Sequence, residues 1–406
     1  MGTVRVGSLV LFSVAVACYA QQDTPVAIRQ AFEAHDASLQ WFSVVATRRV
    51  DANSEVVLAE AAPMESDGVR PPAPTMQRMQ LGVFLESSKT HQVEMVIDIS
   101  PWSAEEYPQL DEVDAHSIRL HSLGDYGDYV ESVRYFYDAS LRKPATKIRY
   151  RVAGLESARI ENGKLIFTAE YGFGGEQFAL NKRRVTITVS AASAPPLFVV
   201  AEDRSHASSS SAEPVFHAGD QTFSVETKSQ PSGIWITDAS GNKRFFPAPA
   251  IHIGPVVFDS RTIWFARRFL DSDAYSVAGA IVAFDPRSHK YRVHELPEIG
   301  SLSGTAILAD GDNIWLGLEG RPEAEGTNPA LLRYNKSTGA VQKYAVNDIV
   351  YTINRVGETI YCGTSDGLYT IRSGAIHQYR FEPDASGKLT MVERPAPLHP
   401  PTVSHK

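Results

Sequence analysis

The chain has 406 residues, 43% hydrophobic, 21% charged and 10% aromatic, with a formal net charge of −8. That composition is globular and long enough for two domains with substantial cores, and the negative balance repels phosphate backbones, which excludes nucleic acid as an expected partner. Of the 2 cysteines, Cys18 lies near the N-terminus and Cys362 sits in the apolar run TIYCGT. A disulfide scaffold is therefore excluded, and Cys362 reads as a small buried hydrophobe.

Residues 1–20 carry one basic residue, Arg5, and then SLVLFSVAVACYA, ending in small residues. This is the pattern of a secretory signal cleaved after Ala20, and it predicts a secreted or periplasmic protein. In a second reading, Ala15-Val16-Ala17-Cys18 resembles a bacterial lipoprotein box without its usual leucine, which would make Cys18 a lipid anchor to the envelope. The apolar stretch is shorter than the roughly 20 residues that cross a bilayer, and no later segment comes close, so no transmembrane span is expected after signal removal.

Residues 21–75 read as one amphipathic helix and a linker. Pro25 suits a first helical position, and Ile28, Phe32, Leu39 and Phe42 fall near helical spacing. The stretch AAPMESDGVRPPAPT, 61–75, is rich in proline and small residues and reads as the linker. From 76 to 204 come short β-like runs such as RMQLGVFLE, HQVEMVIDI, KIRYRV, KLIFTAEYG and RVTITVS, separated by turn formers. They predict a β-rich N-terminal domain. The serine tract at 205–213 reads as a linker or surface loop.

Residues 214–385 hold the strongest pattern. PVFHAGDQTFSVE, PVVFDSRTIWFA, TAILADGDNIWLG and YTINRVGETIYCG each read as strand, polar turn and strand, placing Ser224, Trp264, Trp315 and Tyr361 at equivalent positions. Each is followed by a third strand ending in Trp235, Phe284, Tyr334 or Tyr369, and then by a fourth. Four-stranded units repeated every 40 to 50 residues or so are the signature of propeller blades, which cover one another's apolar faces around an axis. Gly317 and Gly363 would permit close approach between blades. A β-sandwich explains the alternation but not a unit matched four times. The run from Leu155 to Val189 resembles a fifth, degenerate copy with Phe167 near the aromatic place, the alternative to a separate sandwich domain. The proline-rich tail, 386–406, is expected to be disordered. The expected fold class is all-β: a propeller-like array of four-stranded blades preceded by a β-rich region and one N-terminal helix.

The segment GETIYCGTSDGLYTI, with GDNIWLG as a partial second copy, resembles the periplasmic repeats of two-component regulator propellers. The resemblance covers only about Pro214 to Phe381. It implies a propeller that senses or binds an extracellular ligand, although the chain carries no kinase motif.

Chemical motifs are sparse. The pairs His116/His121 and His289/His294 are each five apart, which in a strand puts their members on opposite faces. Glu112, Asp114 and His116 would share a face but read as a solvated acidic loop, and Asp310 and Asp312 read as turn-closing side chains. YGFGGEQ lacks the strand and helix of a phosphate-binding fingerprint, and no GxSxG elbow is present. No metal or cofactor is expected. In a propeller, loops joining second to third strands leave on the same end as the connections between blades. Two such loops are long, 267–279 and 319–329, and they carry Arg267, Arg268, Tyr275 and Arg321, whose guanidinium forks and ring suit carboxylate, sugar or peptide groups. The sequence thus predicts an exported, non-catalytic protein of the cell envelope that binds a small molecule, glycan or envelope protein. The alternative is a secreted propeller lyase or hydrolase acting on a carbohydrate or small molecule.

Overall fold

The computed structural model describes residues 24–404 except 67–72, 76–77, 102–108, 124–129, 153–154, 156, 174–181, 191–196, 204–214, 228–230, 250–251, 269–278, 298–301, 320–329, 347–348, 366 and 395–401. The expected signal, Cys18 and the serine tract lie outside the described residues. The chain divides into two compact units, Met1–Arg119 with Tyr135–Thr146, and Leu120–Arg134 with Lys147–Lys406.

In the first unit the helix is shorter than its apolar spacing implies. It runs Val26–His35 and stops at Asp36, whose backbone turns extended and whose carboxylate accepts the Ser38 N–H at 2.8 Å. An aspartate offering the backbone this alternative bond is a known competitor of helix propagation. Leu39 and Phe42 then open the strand Leu39–Arg49, yet both still join Ile28 and Phe32 in one core with Ala59, Ala61 and Phe84. Helical spacing therefore identified the right core residues and the wrong element for two of them. The linker reading also needs correction. The strand Ser54–Glu65 runs through Ala61 and Ala62, both fully buried, and Ala73–Pro74 pairs back on its end. Small side chains here let the helix lie close to the sheet. Gly82 serves the same end, because a Cβ there would run into the rings of Phe84 and Phe32. Gln80–Ser87 and Val93–Pro101 complete this antiparallel meander.

The second unit contains four successive antiparallel sheets, each a four-strand meander in chain order, over 215–247, 252–295, 303–345 and 350–383. We number them blades 1 to 4. The hairpin joining the first two strands of each turns on Gly219, Ser260, Gly311 or Gly357, all at positive φ, as two-residue hairpins require. Counting from these turns brings Phe223, not Ser224, into line with Trp264, Trp315 and Tyr361. Blade 1 therefore also has an aromatic at this place.

Each of these four aromatics is buried against the following sheet, whereas the residues flanking the last three face the preceding one. Phe223 joins Ile263 and Phe265; Trp264 joins Ile314 and Leu316; Trp315 joins Ile360 and Cys362. Tyr361 continues the series by packing on Leu165 and Phe167, which belong to an upstream eight-stranded sheet; Ser157–Glu161, Lys164–Phe173, Lys182–Ser190 and Leu197–Asp203 are four of its strands. The degenerate fifth copy is thus a sheet in the same serial stack, turning on Asn162-Gly163. It precedes blade 1 in the chain and follows blade 4 in space. The protein is all-β with a propeller-like array of four-stranded sheets, and serial packing of this kind sets aside a two-layer sandwich.

The sheets approach closely along their first strands. Gly304 lies against Ala266 and Gly317 against Val350, while Gly363 lies against Leu155, just before the strand Ser157–Glu161. Hydroxyl groups stitch the same seam: Thr305 Oγ1 donates to Val350 O at 2.5 Å and Thr352 Oγ1 to Leu155 O at 3.2 Å. Leu155 N also donates to Thr364 O at 3.0 Å. The tail adds strands to sheet edges where disorder was expected, with Leu389–Arg394 beside Ala375–Pro383 and Thr402–Ser404 beside Val341–Ala345. Proline prevents that segment from forming its own core, but an existing edge supplies the missing partners.

At Gly317 an added Cβ would stand 2.8 Å from the Val350 side chain. Gly317→Ala is expected to lower stability by about 1–3 kcal/mol through overpacking, read as a lower denaturant midpoint with unchanged slope.

Candidate functional site

The candidate site lies at the end of blades 2 and 3 where the two long loops begin. Arg267 occupies the penultimate position of the strand Ile263–Arg268, paired in register with Ile253, and Arg268 ends it opposite His252. The Arg267 side chain is only 9% exposed, and its Nη2 stands 3.6 Å from Glu295 Oε1 at the end of the fourth strand of the same blade. Glu295 is 57% exposed. A nearly buried guanidinium thus meets a solvent-facing carboxylate at the root of the first long loop. The Arg268 side chain, Tyr275 and Arg321 fall outside the described residues, so of the four predicted residues the structure places only Arg267 in full.

At the opposite, hairpin end of the blades, the aromatic place is held by a repeated polar clasp. Trp264 Nε1 donates to Asp259 Oδ2 at 2.8 Å, and Lys336 of blade 3 reaches the same oxygen at 2.8 Å. One blade on, Trp315 Nε1 donates to Asp310 Oδ2 at 3.4 Å while Arg355 of blade 4 pairs with Asp310. In both cases an aspartate at the end of a first strand fixes its own blade's tryptophan and binds a cation of the next blade. Asp310 therefore does more than close a tight turn. Burial raises the Asp259 carboxyl pKa, but hydrogen bonds from Lys336, Trp264 and the Thr262 and Arg261 amides outweigh it and leave the group below the ordinary aspartate value.

His289 and His116 each lie in the turn just before a strand, so the opposite-face reading does not apply to them. His289 stacks near Phe284 and Phe246, while His294 lies beside Trp264 and places Nδ1 2.8 Å from the Tyr334 hydroxyl. Asp114 accepts from the His116 and Ser117 amides, and Ser117 Oγ bonds its second oxygen. Glu112, Asp114 and His116 thus include a side-chain-closed turn. Cys362 is fully buried, and that burial pushes its thiol well above the usual range, as expected for a packing residue rather than a nucleophile.

Sequence reasoning missed a buried ionic cluster. Glu382, fully buried in the last strand of blade 4, receives Arg394 Nε at 3.0 Å and Nη2 at 2.5 Å, together with Arg134. Arg134 lies 248 residues from Glu382 in sequence, so no local motif announces the cluster. Two guanidiniums on one carboxylate give this edge a rigid anchor, and its full enclosure marks it as structural.

No family model matches the sequence, and no curated protein does. Among solved structures, the chain is similar to the β-propeller domain of the Trilobed protease from Pyrococcus furiosus, at 10% identity over 84% of this chain and 96% of that one, with a TM-score of 0.27. It is likewise similar to the extracellular domain of a candidate one-component system of B. thetaiotaomicron, at 8% identity, 89% and 75% coverage and a TM-score of 0.24. A third likeness is to the phage phi92 endosialidase, at 11% identity, 83% and 61% coverage and a TM-score of 0.23. The fold assignment rests on the strand pairing within the chain itself.

Asp259→Asn is expected to cost about 1–2 kcal/mol near neutral pH by weakening the clasp. Because the folded carboxyl titrates below its unfolded value, its contribution is present above the ordinary aspartate pKa of about 3.9 and is lost as pH falls toward the folded value. Stability curves of wild type and variant should therefore converge on acidification below about pH 4.

Proposed function

We propose that this chain is an exported, non-catalytic binding protein of the cell envelope that takes carboxylate-bearing ligands at the loop end of blades 2 and 3. The observation that carries the reading is Arg267, a nearly buried guanidinium at the root of a long loop, whose partner Glu295 faces solvent. A ligand carboxylate can take the place of Glu295 on a fork already held in position, and a preorganised guanidinium loses little freedom on binding. Arg268, Tyr275 and Arg321, carried on the same end by the sequence, would complete the contacts. The resemblance of Gly357–Ile371 to two-component regulator propellers supports a sensing or binding role, with ligand occupancy passed to a separate partner. Among the described residues no helix is long and apolar enough to cross a membrane.

The test is a thermal-shift and equilibrium-binding screen of the mature chain against uronic-acid oligosaccharides, acidic peptides and small carboxylates. A ligand of this class should raise the melting temperature, and Arg267→Gln and Arg321→Gln should each weaken it about tenfold or more, the loss expected for a charge-assisted bond. Unchanged affinity in both variants would sink the placement, and accumulation of a cleaved product would replace the binding reading with the lyase or hydrolase one. Sequencing the exported protein's N-terminus distinguishes cleavage after Ala20 from lipidation at Cys18.

A further inference from the structure

The first unit contains a second polar cluster, remote in sequence from the loops above. Glu55 and Glu86 are directly opposite each other on the neighbouring strands Ser54–Glu65 and Gln80–Ser87. Like charges in that relation repel, and here the repulsion is poorly screened because Glu86 is 1% exposed. One Glu86 oxygen, Oε1, lies 2.7 Å from His91 Nδ1. The other, Oε2, is buried and has no hydrogen-bond partner among the described residues. A buried carboxylate oxygen without a partner is costly, and an ionised neighbour makes it more so.

The hairpin after Gln80–Ser87 supplies the third group. Ser87 N donates to Gln92 O and His91 N to Ser87 O, both at 3.0 Å, and this turn folds the His91 ring back over Glu86. Ligand atoms of Glu55, Glu86 and His91 all lie within 4.8 Å of one another. Donor atoms around one tetrahedral zinc-sized ion, bound at about 2.0–2.2 Å, are separated by roughly 3.3–3.6 Å, so small rotations of Glu55 and His91 close the set. Both have room to make them, since the His91 side chain is 64% exposed and Glu55 is half-buried.

We infer that Glu55, Glu86 and His91 form a binding site for a first-row divalent cation of the zinc type. Two carboxylates and a neutral imidazole balance a doubly charged ion, occupy the orphaned Oε2 and cancel the repulsion across the strands. The mixed nitrogen and oxygen set favours zinc or manganese over calcium, which takes six to eight oxygens. Three protein ligands leave a position on the exposed side for water. Arg49, opposite Glu55 on its other flank, lies at the exposed end of Leu39–Arg49 and bears on the net charge without entering the ligand set. A protonated His91 paired with Glu86 is the competing arrangement, and it leaves Oε2 unsatisfied and Glu55 uncompensated.

The inference is independent of the ligand reading at the loop end and is tested on the full mature chain, stripped with chelator and free of any affinity tag. Titration with zinc chloride by calorimetry should give one saturable equivalent and a raised melting temperature. Glu86→Gln and His91→Ala should each weaken binding at least tenfold. His377→Ala, at an exposed pair 2.8 Å from Glu393, should leave it unchanged. Absence of saturable binding, or equal affinity in wild type, Glu86→Gln and His91→Ala, overturns the site, as does loss of binding in His377→Ala alone. If Glu86→Gln does not fold, His91→Ala decides, because its ring is mostly in solvent and its removal leaves the core intact.

Discussion

Blades 2 to 4 are apolar on both faces, and that condition governs the rest of the second unit. A sheet of four short strands cannot shield two faces by itself, so its folding is tied to the neighbour that covers each side. The division of labour is visible within one strand. In blade 3, Trp315 points toward blade 4 while Ile314 and Leu316 point toward blade 2. Period-two alternation, which in most strands separates core from solvent, here separates one core from the next. Stability is consequently spread over a chain of interfaces rather than lodged in a single centre.

Close packing of first strands then dictates residue size along the seam. At the place occupied by Ala266, Gly317 and Gly363 the next sheet's backbone leaves no room for a large side chain. Threonine hydroxyls at 305 and 352 donate to carbonyl groups across the seam. The aspartate clasps act farther out, near the hairpin turns, where Asp259 and Asp310 join two blades each. Apolar packing sets the spacing between blades, and these polar links fix their rotation. A rigid stack of this kind can tolerate long loops at one end, because the loops contribute little to the interfaces that hold it together.

Much of this was legible in the sequence because the signals are local. Within each copy, the strand-turn-strand unit, the aromatic place and, in the last two, the small residue Gly317 or Gly363 lie within about a dozen residues of one another. Ser224 stands five residues after its turn residue Gly219, whereas Trp264, Trp315 and Tyr361 stand four after theirs, and the turn is what sets the register in a hairpin. Leu39 and Phe42 show a different limit: apolar spacing identifies the buried face without settling whether the backbone is helical or extended, and Asp36 decided that locally. Ala61 and Ala62 read as linker because small residues beside proline look featureless, although Ala61, with Ala59, forms part of the core on which the helix lies. The tail needed knowledge of free strand edges, a property of the finished fold.

Functional groups were harder to read for the same physical reason. Arg267 could be placed from loop length alone, because the end of a blade on which a loop emerges follows from strand order. Its near burial and its pairing with Glu295 could not, since they depend on how the fourth strand returns. Glu382 with Arg134 and Arg394, and Glu55 with Glu86 and His91, are assembled by strand pairing across stretches that share no motif. The two clusters also show opposite answers to one problem. Where two arginines surround a buried carboxylate, its charge is compensated by the chain itself and the result is a fixed strut. Where two carboxylates face each other with only an imidazole between them, compensation from within the chain is incomplete, and a cation from solution is the simplest species that supplies it.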